Sequence, residues 1–152
     1  MSKIAIIVGS TSDIAVLESA KAYLDFFQIE HDIRVLSAHR QHEALVNYIG
    51  EAEKERVEVI IACAGMAAHL PGVIAAITPL PVIGVPLDAS SLNGMDALLS
   101  IVQMPKGIPV GTMAVGKAGV INAVVYAARI IALKNPKMRD RLDEFRKKGS
   151  KL

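Results

Sequence analysis

Short apolar runs alternate with amphipathic segments along the whole chain, and this alternation limits the fold more than any other feature. Five runs have the length and composition of buried strands: residues 4–8, 33–36, 57–62, 82–85 and 110–115. The segments between and after them place apolar residues at helical spacing: 13–27, 43–55, 69–77, 94–103 and 119–134. Continuous apolar runs are typical of parallel strands covered on both faces. We therefore predict an α/β fold, a three-layer, doubly wound, five-stranded parallel sheet with the flavodoxin-like strand order 2-1-3-4-5.

Length and composition exclude several classes of protein. The chain has 152 residues, 52% of them hydrophobic, which favours one folded domain over residues 1–152 and excludes disorder. We expect an α/β core over 1–133 and a basic C-terminal helix and tail over 134–152. The single cysteine excludes a disulfide framework. The apolar runs are too short for a membrane span or a signal peptide, so we expect a cytoplasmic protein without a membrane partner.

The charges are distributed unevenly along the chain. Residues 59–116 carry only Asp88, Asp96 and Lys106, where the chain average would place about 12 charges. A monomer of this size covers most of its surface with polar groups, so this stretch predicts a large homo-oligomer interface. A central sheet with apolar loops is the simpler explanation, and the two are compatible.

The C-terminal segment has a different composition. Residues 134–152 hold eight basic and three acidic residues, with an apolar stripe at Met138, Leu142 and Phe145. One interpretation is an RNA-binding or membrane-surface helix. Phe145 is the one aromatic residue of the segment, so aromatic residues do not alternate with the basic ones, and the net charge of the whole chain is only +2. We therefore prefer an amphipathic helix that packs on a neighbouring subunit, and we expect no nucleic-acid partner.

Polar residues follow the first two predicted strands, at the sheet edge where ligands bind in doubly wound folds. After the first strand, Gly9-Ser10-Thr11-Ser12-Asp13 leads into a helix whose free N–H groups can hold a phosphate. Asp13 suits the hydroxyls of a ribose, although Ser12 or Asp13 could instead be simple helix caps. After the second strand comes Ser37-Ala38-His39-Arg40. Its arginine can bind phosphate through two hydrogen bonds, and its histidine can move protons near neutral pH.

The loop after the third strand, residues 64–72, is rich in glycine and alanine. Its backbone can approach a small flat ligand closely, and its N–H groups could hold a carboxylate or CO2-sized group. Cys63 has no evident base beside it and is interpreted as a small core residue. His39, His42 and His69 have no acidic or cysteine ligand at a metal-site spacing, so no metal is expected.

Five segments in order resemble a known family over essentially the whole chain. They are the two motifs after the first and second strands, 67–72 (AAHLPG), 99–105 (LSIVQMP), and 116–119 (GKAG) followed by Asn122-Ala123. Together they resemble the class I 5-(carboxyamino)imidazole ribonucleotide mutases of the PurE family, also known as the catalytic subunit of phosphoribosylaminoimidazole carboxylase. The resemblance implies an enzyme of de novo purine (IMP) biosynthesis, an isomerase that moves a carboxylate from the exocyclic nitrogen of an aminoimidazole ribonucleotide to ring carbon 4. It also implies a homo-octamer with active sites between subunits and no cofactor.

The resemblance also implies roles for individual residues. His39 is the expected proton-transfer residue, acting first as acid and then as base. The expected contacts to the ribonucleotide and to CO2 come from Ser10, Ser12, Asp13, Ser37, Ala38, Arg40, Gly65, Ala67, Ala68, His69 and Leu70. Within that set, the backbone of residues 65–70 is expected to hold CO2 in a site closed to bulk water.

The chain departs from the family pattern at two places. Gln41-His42 follows Ser-Ala-His-Arg where the family usually has Thr-Pro, and Gly65-Met66 stands where it usually has Gly-Gly. Two other functions stay open, the second of them because of these departures. One is a direct carboxylase that uses free CO2 or bicarbonate on the same fold. The other is a nucleotide-binding relative without catalytic activity, because a fold does not fix a function.

Overall fold

All five strands lie parallel in one sheet, in the order β2-β1-β3-β4-β5 that the sequence predicts. The structure is a computed structural model, and it describes residues 2–152. The strands are β1 (Lys3–Val8), β2 (Glu30–Val35), β3 (Val59–Gly65), β4 (Val82–Leu87) and β5 (Gly111–Thr112). Val8, the last residue of β1, pairs with Val35 on one side and Cys63 on the other. This register brings the C-terminal ends of β1, β2 and β3 to the same edge of the sheet.

Seven helices connect and cover the strands: α1 (Ile14–Leu17), α2 (Lys21–Phe27), α3 (His42–Lys54), α4 (Leu70–Ala75), α5 (Met95–Val102), α6 (Lys117–Ala132) and α7 (Pro136–Lys147). The first of the predicted helices, 13–27, is interrupted. Short 3-10 turns at Thr11–Asp13 and Glu18–Ala20 precede α1 and α2. None of the helices in residues 2–152 is long and apolar enough to cross a membrane.

Two apolar cores lie on opposite faces of the sheet. Ile4, Ile6 and Val8 of β1 pack on the face covered by α1, α2, α6 and α7. Ala5 and Ile7 pack on the face covered by α3, α4 and α5. Consecutive residues of a strand point to opposite faces, so an uninterrupted apolar run is what a doubly covered strand requires. The connections change face after β2, which places a crevice between the ends of β1 and β3.

The fourth and fifth strands differ from the prediction. The apolar run predicts a strand that ends at residue 85, but β4 continues to Leu87, and Pro86 within it pairs with Ala64. The carbonyl of Pro86 accepts a hydrogen bond from the Gly116 N–H, so the carbonyl and the nitrogen of Pro86 point away from β3. They point to the side of β5, which has already ended at Thr112. Its missing N–H therefore costs no hydrogen bond to β3. β5 is only two residues long, although the apolar run predicted a strand over 110–115.

The basic helix α7 packs on its own chain. Met138 and Phe145 are buried in the core beneath α2 and α6, and the Phe145 ring contacts the rings of Tyr23 and Phe27. A guanidinium nitrogen of Arg141 donates to the carbonyl of Phe27 at 3.1 Å. The apolar stripe of α7 is thus used within the chain, and a further contact with a neighbouring subunit stays a prediction.

Candidate active site

A cavity of about 650 Å³ opens at the rim where β1, β2 and β3 end. Ten of the eleven residues expected to bind the ribonucleotide or CO2, and the expected proton carrier His39, line it: Ser10, Ser12, Asp13, Ser37, Ala38, His39, Arg40, Gly65, Ala67, His69 and Leu70. The strand order explains why they meet. β2 and β3 flank β1, so the loops after these three strands are adjacent although they are about 30 residues apart in sequence.

The loop after β1 presents hydroxyls and a carboxylate. The Ser10 hydroxyl oxygen accepts from the Ser12 N–H at 3.3 Å, and the two hydroxyls lie 2.9 Å apart. The Asp13 N–H donates to the Ser10 carbonyl at 3.0 Å, which closes the turn. Burial raises the pKa of the Asp13 carboxyl above its ordinary value, while a backbone hydrogen bond from Ser10 works in the opposite direction. Ser12 and Asp13 thus lie where a phosphate and a ribose hydroxyl could be bound together.

The loop after β2 is closed by its own side chains. The Ser37 hydroxyl accepts from the Arg40 N–H at 3.2 Å, and Gln41 Oε1 accepts from the Ser37 N–H at 3.2 Å. The Gln41 N–H also donates to the Ser37 carbonyl at 2.9 Å. Gln41, one of the two departures from the family pattern, thus stabilises the turn through its side chain. The guanidinium of Arg40 stays exposed at the rim of the cavity.

The imidazoles of His39 and His69 contact each other directly. His39 Nε2 lies 2.6 Å from His69 Nδ1, and the ring centroids are 4.8 Å apart in an edge-to-face arrangement. One of the two nitrogens must carry a proton and the other must not, so the contact fixes the tautomers relative to each other. A histidine held in this way is oriented for proton transfer.

The loop after β3 has a fixed backbone. The Ala68 N–H donates to the Met66 carbonyl at 2.9 Å, and the His69 N–H donates to the Ala67 carbonyl at 2.8 Å. These two amides, expected to help hold CO2, are therefore already engaged. Among residues 65–70, which the structure describes in full, the amides of Met66, Ala67 and Leu70 donate to no backbone carbonyl, so these three are free to bind a ligand.

Ala68, the eleventh residue expected to bind the ribonucleotide or CO2, does not line the cavity. The Ala68 side chain is buried among the apolar residues beneath α4 rather than facing the site, because the tight turn directs it inward. His42 lies in the first turn of α3 and is exposed, away from the cavity lining. In the described part of the chain, no group of three His, Cys, Asp or Glu residues is placed to hold a metal ion.

Cys63 lies beneath the site and is fully buried. Burial raises the pKa of its thiol to about 12, with a smaller contribution from the charge of Asp13. A thiol that keeps its proton is a poor nucleophile, which agrees with its interpretation as a core residue.

Sequence reasoning missed part of the lining and the contact between the two histidines. Thr11, Val35, Ala64 and Ala89 also line the cavity. Thr11 and Ala64 lie within the segments 9–13 and 64–72, Val35 is the last residue of β2, and Ala89 follows β4. The signal for Ala89 is Gly65: a Cβ there would lie 3.3 Å from the Ala89 Cβ, so the glycine lets the chain after β4 approach the site.

Comparison with known proteins decides the family. The family model described as AIR carboxylase matches residues 3–151. The chain belongs to the AIR carboxylase family. Relatives with similar sequences include two called N5-carboxyaminoimidazole ribonucleotide mutase. That of Pyrococcus abyssi is 50% identical, covering 96% of this chain and 83% of its own length. The mutase of Brucella melitensis is 52% identical, and the match covers 95% of this chain and 89% of its own length.

A solved structure also agrees with the fold. The crystal structure of Treponema denticola PurE superposes with a TM-score of 0.89 at 28% sequence identity. The match covers 99% of this chain and 92% of that chain. The three-layer parallel architecture predicted from the apolar runs is thus confirmed both by the sheet itself and by a relative.

Proposed function

We propose that this protein is an isomerase of de novo purine biosynthesis, interconverting 5-(carboxyamino)imidazole ribonucleotide and 4-carboxy-5-aminoimidazole ribonucleotide. The observation that carries the proposal is the 2.6 Å contact of His39 with His69 inside a cavity whose other wall holds serines, Asp13 and Arg40. This arrangement provides a proton carrier beside a phosphate- and ribose-binding surface. Relatives about 50% identical over nearly the whole chain are named mutases of this substrate.

The polar wall binds the ribonucleotide in this proposal. The hydroxyls of Ser10, Ser12 and Ser37 and the guanidinium of Arg40 donate to the phosphate oxygens. Asp13 accepts hydrogen bonds from the ribose hydroxyls. Asp13 is partly buried, so its carboxylate accepts fewer hydrogen bonds from water, and a bound ribose hydroxyl supplies one in their place.

The reaction then requires two proton transfers at His39. The protonated imidazole donates to the exocyclic nitrogen, the nitrogen–carboxylate bond breaks, and its electron pair stays on the nitrogen as CO2 leaves. Ring carbon 4, now enamine-like, attacks CO2 and forms the new carbon–carbon bond. Neutral His39 removes the proton from carbon 4, which restores the aromatic ring and returns the imidazole to its starting state.

The surrounding groups support these steps. His69 is hydrogen-bonded to Nε2 of His39, so Nδ1 of His39 is left for the substrate. The same hydrogen bond holds the His39 ring in one orientation. The amides of Met66 and Ala67 bind the oxygens of CO2. Both halves of the reaction need only proton transfer and CO2 retention, so we propose that no cofactor or metal takes part.

We also propose that the protein works in the cytoplasm as a homo-oligomer, an octamer by family resemblance, of single-domain subunits. Several apolar side chains in the charge-poor stretch are exposed: Met66, Leu92, Met95, Leu99 and Val102. A monomer would leave this apolar surface in water, which an interface removes. In the octamer, α7 also contacts a neighbouring subunit. Sedimentation of the purified protein as a 16.2 kDa monomer would contradict this assembly.

One experiment separates the proposed reaction from its alternatives. The carbamate substrate is supplied in CO2-depleted buffer, and the C4-carboxylate product is followed by absorbance. A mutase forms that product without added bicarbonate. A direct carboxylase forms it only from the decarboxylated aminoimidazole with added bicarbonate, and a relative without activity forms it in neither case.

A further inference from the structure

One segment that matches the family pattern, residues 99–105, contributes nothing to the lining of the active-site cavity. Its Ile101 is fully buried over the sheet, where a Cβ built on Gly84 would lie 2.5 Å from an Ile101 methyl carbon. Its Met104 follows α5 and is partly buried. The segment therefore packs on the elements that carry the site instead of on a ligand.

The tip of the Met104 side chain lies against the first turn of α4. A Cβ built on Gly72 would lie 3.1 Å from the Met104 sulfur and 3.3 Å from its terminal methyl carbon. A side chain at position 72 would crowd the thioether, so the glycine lets Met104 pack directly on the helix backbone. Gly72 stands in the segment 67–72, so both partners of this contact belong to segments that match the family pattern.

The same turn of α4 carries His69. His69 is the N-cap of α4, and its carbonyl accepts from the Val73 N–H at 2.9 Å. α4 has only six residues, and a helix this short takes its position from its packing, because it has little stability of its own. A displacement of this turn would therefore carry the His69 ring away from His39 Nε2, which lies 2.6 Å from it.

We propose that Met104 is a positioning residue, which holds the first turn of α4 so that His69 keeps its contact with His39. The inference rests on the proposed function, in which this contact orients the proton carrier. Met104 lies outside the cavity lining, so it touches neither the ribonucleotide nor CO2 and acts through Gly72 and His69. A misplacement of about 1 Å caused far from the reacting atoms can cost about 100-fold in rate.

The kinetic test compares Met104→Ala with the parent in conversion of the C4-carboxylate ribonucleotide. The variant leaves a void over Gly72 and is expected to lower kcat about 10-fold or more, with KM within about twofold of the parent value. Met104→Leu, which keeps an apolar chain of similar size, should recover most of the loss. In a His69→Ala background, Met104→Ala should cost nothing further, because the residue through which it acts is already gone.

A second measurement reads the contact without catalysis. In ¹⁵N NMR spectra of the imidazoles, the signals of His39 and His69 should shift in Met104→Ala, while those of His31 and His42, which lie outside the cavity lining, should stay in place. Gly72→Ala is a second route to the same result if Met104→Ala does not fold, because its added methyl group crowds the thioether from the other side.

Three results would overturn the inference. They are a kcat of Met104→Ala equal to that of the parent, a loss that multiplies with that of His69→Ala, and ring signals of His39 and His69 that stay as in the parent. No conversion by the parent protein would refute the proposed function instead. The ring signals alone would then decide whether Met104 holds this contact.

Discussion

The contact between His39 and His69 gives the most informative mutational prediction. His69→Ala removes the imidazole that lies 2.6 Å from His39 Nε2. This separation is shorter than the usual 2.9–3.0 Å for an N–H donor. His39 is charged during half of the proposed cycle, so the contact belongs with hydrogen bonds to charged groups, worth about 1.5–3 kcal/mol. At 1.36 kcal/mol for each tenfold change, turnover should fall about 10- to 150-fold.

The assay is conversion of the C4-carboxylate ribonucleotide followed by absorbance, with three companion variants. His39→Asn should lose about 100- to 10,000-fold, as expected for a residue that carries the proton itself. His69→Asn keeps a hydrogen-bonding group on a short side chain and should recover part of the loss. His42→Ala is the matched control, since this histidine is exposed outside the cavity, and it should behave like the parent.

The double variant completes the test. If His69 acts by orienting His39, removing both should cost no more than removing His39 alone. Unchanged activity in His69→Ala, or losses that multiply in the double variant, would refute the reasoning. Thermal unfolding of each variant checks that the lost activity does not come from lost structure.

Three further predictions concern the fold and the binding wall. Asp13→Asn should weaken ribonucleotide binding about 10- to 100-fold, measured by calorimetry. Asp13→Asn should also raise the free energy of unfolding at neutral pH. Because the pKa of Asp13 is raised in the native state, its stabilising contribution is full below the ordinary aspartate pKa and is lost as the pH rises through the native pKa. The advantage of the asparagine variant should therefore vanish in acid, where Asp13 is protonated. Gly119→Ala should destabilise by about 1–3 kcal/mol in urea unfolding, because its Cβ would lie 1.7 Å from the Ala114 carbonyl oxygen. Gly50→Ala, with open space around it inside α3, should instead stabilise by about 0.5–1 kcal/mol, and the opposite order of these two glycines would contradict the packing.

The sheet was predictable because its physical cause is local. Each apolar run must be covered on both faces, and helical segments of matching length lie between the runs. The switch-point rule then placed the loops of Ser10, His39 and His69 at one rim, where the structure has them. The family resemblance, confirmed by the match over residues 3–151, added the chemistry.

The features that were not predicted depend on distant parts of the chain. Pro86 stays within β4 because its missing N–H faces a neighbour that has already ended, which no pattern around Pro86 reveals. Ala68 turns inward because of hydrogen bonds within its loop. The contact of His39 with His69 spans 30 positions and depends on how β2 and β3 sit on either side of β1. Only the assembled sheet brings those two rings together.

The central claim is that His39 carries the proton in a mutase reaction, and one comparison tests it most directly. The parent protein and His39→Asn are mixed with the carbamate substrate in CO2-depleted buffer, and formation of the C4-carboxylate product is timed in each. The account predicts conversion by the parent, a loss of about 100-fold or more in the variant, and ribonucleotide binding retained by both. Equal conversion rates in the two proteins, or no conversion by the parent, would contradict it.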